Sequence, residues 1–214
     1  MKNKETDGIV KQKNRVFIIK CAKKVFLEKG IASTSIADIA QEAKMERKTI
    51  YNHFQTKEMI AENIFLNSLD AISQSMGELI DYSTAKNGFD RVKAFFVHFV
   101  DTLFKLKEEV LFTVHYDYYF RTTAKTDYVS NVLMAHQHPE VIKFVNQGIR
   151  DGSIGLDNKE IVTTFRIIGL SLMSYVSRIL FRGHIIEAEM GITEKSAYDF
   201  LDLLLKGMRI TQNV

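Results

Sequence analysis

Residues 34–58 read TSIADIAQEAKMERKTIYNHFQTKE, and they set two kinds of side chain against each other. Ile36, Ile39, Ala40, Ile50 and Phe54 have the character of a core. Arg47, Lys48, Thr49, Tyr51, Asn52, His53 and Lys57 can all donate hydrogen bonds, and three of them carry positive charge. Arg and Lys pair with O6 and N7 of guanine, Asn pairs with N6 and N7 of adenine, and the Thr49 methyl suits a thymine methyl. Tyr51, His53, Ser35 and Lys57 suit phosphate oxygens, which fix register without reading bases. Thr34 is expected to cap a helix, a role that leaves it free to meet a phosphate as well.

A rigid support must present these donors. Apolar spacing predicts a helix over 14–29, with Ile18, Cys21, Ala22, Val25 and Phe26 on one face and Gly30 as a left-handed cap. Ser33, Thr34 and Ser35 offer an N-cap to a second helix carrying Ile36, Ile39, Ala40 and Ala43. A third runs over 47–54. At the helical repeat, Ile50 and Phe54 lie about 40° apart and Arg47, Lys48, Tyr51 and Asn52 take the opposite half. One face is pinned and the other displayed, as a helix-turn-helix requires of the helix that enters the major groove. A fourth helix starts at Lys57–Glu58, its N-terminal end expected to be tied down by packing of Tyr51, Phe54 and Met59.

The pattern resembles the TetR-type (tetracycline-repressor-like) transcriptional regulators. The resemblance rests on Ile18, Cys21–Ala22 and Val25–Phe26 before Gly30, then Thr34–Ser35, Asp38–Ile39–Ala40, Ala43, Thr49–Ile50–Tyr51, His53–Phe54 and Lys57–Glu58. It implies an N-terminal DNA-binding domain followed by a helical domain for dimerisation and ligand binding. The sequence departs from the pattern at Lys44, where Gly is usual, at Glu46, where Ser is frequent, and at Lys48, where Gly is frequent. A lysine held left-handed at position 44 costs roughly 1 kcal/mol.

The rest of the 214 residues reads as further helices over 89–106, 108–121, 127–150, 161–181 and 195–208. The expected architecture is all-α: a three-helix helix-turn-helix domain plus a larger helical bundle, about nine helices in all. Residues 1–13 are expected to form a mobile basic arm, 14–58 the DNA-binding domain, and 59–214 the ligand-binding and dimerisation domain. The aromatic segments around Phe96, Phe99, Leu103, Phe112, His115, Tyr116 and Tyr119 have the mostly apolar character of a ligand pocket. Surplus apolar faces at 161–181 and 195–208 point to a homodimer.

Charge is unevenly placed. Residues 1–60 hold 13 Lys/Arg and 7 Asp/Glu, a balance of +6 in a chain of net charge +3. A basic end on a slightly acidic body indicates a polyanion partner for that end. The single cysteine precludes an intrachain disulfide and fits a reducing compartment. No apolar stretch in residues 1–15 resembles a secretory signal. The most apolar run, 167–177, lies between Arg166 and Arg178 and is shorter than the roughly 20 residues a bilayer requires. A cytoplasmic location and no membrane partner are therefore expected.

No nucleophile–base pair is evident, so no catalytic residue is assigned. His136–Gln137–His138 has the wrong spacing for one helix face. No metal and no cofactor are expected. The resulting expectation is a ligand-responsive regulator, a repressor that binds a palindromic operator in double-stranded DNA as a homodimer and is released by a small-molecule effector. A helical enzyme acting on a small apolar substrate, and a helical adaptor binding an acidic partner, remain open alternatives.

Overall fold

Residues 2–29 form the longest helix of the computed structural model, which describes residues 2–120, 139–157 and 159–208. This is α1 (Lys2–Lys29), and it takes in the stretch expected to be an arm. The reason is local. Lys, Glu and Gln are good helix formers, and no proline interrupts them. Once the packed half from Arg15 onward is helical, nucleation is already met and each added residue extends the helix at little cost.

Among the described residues ten helices and no strand occur. They fall into two compact units. The first comprises residues 1–71 with 108–124. In it α1 packs on α2 (Ile36–Ala43) and α3 (Arg47–His53), followed by α4 (Lys57–Met76) as far as Ala71. Ile18, Ala22, Phe26, Ile39, Ile50, Ile60 and Ala61 are fully buried at its centre. Cys21 is buried there too, and its thiol pKa is raised chiefly by that burial.

α6 (Lys107–Phe120) belongs to this unit from Glu108 onward, not to the body to which periodicity alone would assign it. Phe112 meets Phe26 of α1 with centroids 6.2 Å apart. Tyr116 stacks on Phe65 of α4 at 4.1 Å. Lys23 Nζ donates to Glu109 at 2.6 Å.

The second unit comprises residues 72–107 and 125–214. α5 (Gly88–Lys105) packs on α7 (Pro139–Asp151) and on α8 (Ile161–Arg182), and α10 (Lys195–Lys206) packs on both α5 and α8. α5 and α7 cross where two glycines meet. A Cβ on Gly88 would sit 2.1 Å from the Gly148 nitrogen. The turn after α7 then satisfies the free N–H groups at the start of α5. Asp151 accepts from the Gly88 N–H at 2.8 Å, and the Ser153 hydroxyl accepts from the Phe89 N–H at 3.1 Å.

Two differences from expectation follow from breakers and from length. α8 ends at Gly183, φ +51°, and a short helix not anticipated, α9 (His184–Met190), follows up to Gly191, φ +66°. α8 has 22 residues, so by length and composition alone it could cross a membrane, although its most apolar run looked too short. Its inner line, Ile168, Leu172 and Val176, is buried within the unit. Of the helix expected over 127–150, Pro139 is the first described residue, and its predecessors, with His136 and His138, lie outside the described residues.

Candidate nucleic-acid interface

The unit is built to fix α3. Ser35, not Thr34, is the N-cap of α2: its hydroxyl accepts from the Asp38 N–H, and the Asp38 carboxylate accepts from the Ser35 N–H at 2.8 Å. This reciprocal pair satisfies two otherwise free donors. Lys29 donates to Asp38 at 2.6 Å, and this bond, with those from Ser35, holds the Asp38 carboxyl well below the usual carboxylate range. Thr34 is buried, and its hydroxyl donates to the Gly30 carbonyl at 2.8 Å. α2 ends at Lys44, whose φ of +51° and ψ of +42° are left-handed, as its place in the turn implied.

α3 follows with one face in and one out. Ile50 is 0% exposed and Phe54, at its C-cap, 1%. Tyr51 is 53% exposed, and Arg47, Lys48 and Asn52 are also exposed. Thr49 and His53 are half-buried. Glu46 makes no side-chain bond to the start of α3, so that end carries only the charge of a carboxylate.

Arg15 secures the other end, and sequence reasoning missed it. Its guanidinium donates from Nη1 to the His53 carbonyl at 3.0 Å and from Nη2 to Asn63 Oδ1 at 2.9 Å. Its central carbon lies 4.2 Å from the Phe54 ring centroid. One cation thereby joins α1, the last turn of α3, and α4. The signal was present: Arg15 is spaced three residues before Ile18 and seven before Ala22, on the apolar line of α1. By contrast, Met59 is 38% exposed, and with Tyr51 also exposed the packing expected of these two is replaced by the Arg15 contacts. His53 is depressed in pKa below 6.5, first by burial and then by Lys11 and Arg15, and its Nδ1 is buried without a partner.

Lys57 points inward. Its ammonium donates to the carbonyls of Ile31 at 2.8 Å, Ala32 at 3.0 Å and Thr34 at 2.8 Å.

The candidate ligand residues fall in both units. Phe96 and Leu103 are buried and Phe99 half-buried on α5, with Phe96 against Phe165 of α8 at 5.2 Å. Phe112, His115, Tyr116 and Tyr119 are on α6. Burial raises the Tyr116 pKa to about 12 and lowers that of His115. Tyr119 donates its hydroxyl proton to Glu58 at 3.0 Å. On α6, therefore, Phe112, Tyr116 and Tyr119 are engaged in joining that helix to α1 and α4.

A short helix held from behind by Ile50, Phe54 and Arg15, with a donor-rich front in water and a capped helix and left-handed turn before it, defines a helix-turn-helix protein. Residues 18–64 match the model for the bacterial regulatory proteins of the tetR family. Through this N-terminal domain the chain belongs to the TetR-type regulators. It is 32% identical over 79 residues to the HTH-type transcriptional regulator TtgR of Pseudomonas putida, a match covering 37% of this chain and 36% of that one. The matched stretch thus spans about a third of the curated relative. Two solved structures share the fold over most of their length. A TetR family regulator, PfmR of Thermus thermophilus, has TM-score 0.59 at 18% identity, covering 90% of this chain and 99% of that one. A tetR family regulatory protein from Rhodococcus has TM-score 0.63 at 14% identity, covering 94% and 99%. These relatives are described as regulators and not as enzymes.

Proposed function

We propose that this chain is a DNA-binding transcriptional repressor that grips a palindromic operator as a homodimer and releases it when a small molecule binds the domain over 59–214. The observation that carries the reading is the division of α3, with Ile50 at 0% and Tyr51 at 53% exposure on adjacent positions. Arg47, Lys48, Thr49 and Asn52 read base edges, and Ser35, Tyr51 and His53 meet phosphates. One short helix offers few base contacts, so a two-fold pair reading half-sites about 34 Å apart, or a multiple, supplies the specificity. The dimer is supported by apolar side chains left exposed on the C-terminal helices. Ile167, Leu170 and Phe181 of α8 and Leu203 of α10 are each more than half exposed. The effector is a mostly apolar molecule whose walls include Phe96, Phe99 and Leu103 on α5. The coupling such linkage typically reaches is about 1–3 kcal/mol.

The test is selection of duplexes from a random pool by the full chain, with light scattering in parallel. The expected outcome is an enriched inverted repeat bound by a dimer, with Arg47→Ala relaxing preference at one position of each half-site. A Leu170→Glu variant should be monomeric and should lose the paired half-sites. Enrichment of no sequence, or of a single asymmetric site by a monomer, defeats the proposal.

A further inference from the structure

We infer that Lys57 is a positioning residue for DNA binding and not a phosphate ligand: its ammonium gathers the three carbonyls of the turn that sets Ser35. This rests on the DNA-binding reading above. Lys57 is the first residue of α4, where the helix dipole disfavours a cation. The compensation is visible in the carbonyls of Ile31, Ala32 and Thr34, all within 3.0 Å of Nζ. An ammonium has three N–H donors and no acceptor, so every donor is occupied. The Tyr119 ring, whose hydroxyl is tied to Glu58, lies 5.7 Å from the same nitrogen. Turning to a phosphate would strip three carbonyls of their partner at once, and two of those bonds are partly buried.

What the three carbonyls share is their place in the chain. They belong to the turn between Gly30 and Ser35, so Lys57 decides where the N-cap of α2 sits. The Thr34 hydroxyl secures the same turn from the other side, on the Gly30 carbonyl. The Ser35 donors proposed to meet a phosphate therefore depend on a charge that never touches DNA. In sequence Lys57 is a basic residue beside the recognition helix, which is why spacing alone assigns it to phosphate.

The two roles separate by salt dependence. Fluorescence anisotropy with the full chain would use a duplex selected by the wild type and a scrambled duplex of the same composition. Every titration is run well below each variant's thermal midpoint. Lys57→Met is expected to keep the wild-type slope of log affinity against log salt. Its affinity for the selected duplex should fall at least about tenfold, the loss equivalent to one charge-assisted hydrogen bond. The ratio of selected to scrambled affinity should fall with it, which a loss of stability alone would not produce in folded protein. Lys57→Arg is expected to be nearly as weak. Arg is an excellent phosphate ligand, but its planar fork cannot place three N–H groups on carbonyls converging at one point. The inference is overturned if Lys57→Met flattens the slope by about 0.9, the signature of one lost phosphate contact. Full affinity in Lys57→Arg, or an unchanged ratio in Lys57→Met, overturns it equally. A wild-type chain that selects no duplex defeats the DNA-binding reading itself and this inference with it.

Discussion

Replacing Lys44 by Gly should strengthen the helix-turn-helix. Among the described residues Lys44 is the non-glycine residue with positive φ, at +51°. An L-residue in that conformation costs roughly 1–2 kcal/mol through crowding of its Cβ against the backbone. Glycine removes the Cβ but enters folding with a freer chain, which takes back about 0.5–1 kcal/mol. The backbone bonds of the turn, Lys44 N–H to Gln41 at 3.2 Å and Met45 N–H to Ala40 at 2.9 Å, need no side chain and survive the change. Lys44→Ala is the control, because it removes the same charge and keeps the Cβ. Gly should therefore exceed Ala by roughly 1 kcal/mol, or about fivefold in an opening equilibrium. Because the chain has two units, a whole-molecule melt would blur the effect. Native-state hydrogen exchange at the amides of Ile39 and Ile50 isolates it, and both should exchange about fivefold more slowly in the Gly variant than in the Ala variant. If the two variants agree within about 0.3 kcal/mol, the turn is unstrained and the reasoning from backbone geometry is wrong.

Two further predictions concern a proton and a crossing. Burial, Lys11 and Arg15 depress the pKa of His53 below 6.5, so the free chain resists its protonation and loses stability as pH falls through 6.5 toward the folded value. A nearby phosphate favours the protonated ring, so DNA affinity should rise as pH drops from about 8 to about 6, and His53→Gln should abolish that rise in anisotropy titrations at constant ionic strength. A pH-invariant wild type would remove His53 from the phosphate contacts. Gly88→Ala would drive a Cβ to 2.1 Å from the Gly148 nitrogen and 2.5 Å from the Phe144 carbonyl oxygen. Both are backbone atoms, so α5 and α7 must part at a cost of about 1–3 kcal/mol, seen as a lower thermal midpoint by circular dichroism, and an unchanged midpoint would refute the close crossing.

The parts of this architecture that were legible in the sequence are those governed by period. Ile39, Ala43, Ile50 and Phe54 announce their burial by spacing, and Gly30 and Lys44 announce left-handed turns by position. What stayed hidden is governed by partner choice. The apolar residues of α6 show that it packs but not on what, and only the structure brings Phe112 to Phe26 and Tyr116 to Phe65. Residues 2–13 lack an apolar stripe facing the core, so their helicity, which comes from propensity and a neighbouring nucleus, leaves no periodic signal. Lys57 and Arg15 look like surface cations because a sequence records charge and not the direction in which a side chain turns. For α9, seven residues are too few to display a period before Gly191 ends it.

The inertness of Cys21 has a practical side. It is the sole thiol in a chain that also contains no tryptophan. Enclosed in its unit and reluctant to ionise, it is a poor target for maleimides and iodoacetamides. A cysteine introduced at an outward position such as Asn52 can therefore be dye-labelled selectively, and a tryptophan placed anywhere becomes the lone indole reporter. The wild-type chain is already a blank background for single-site spectroscopy.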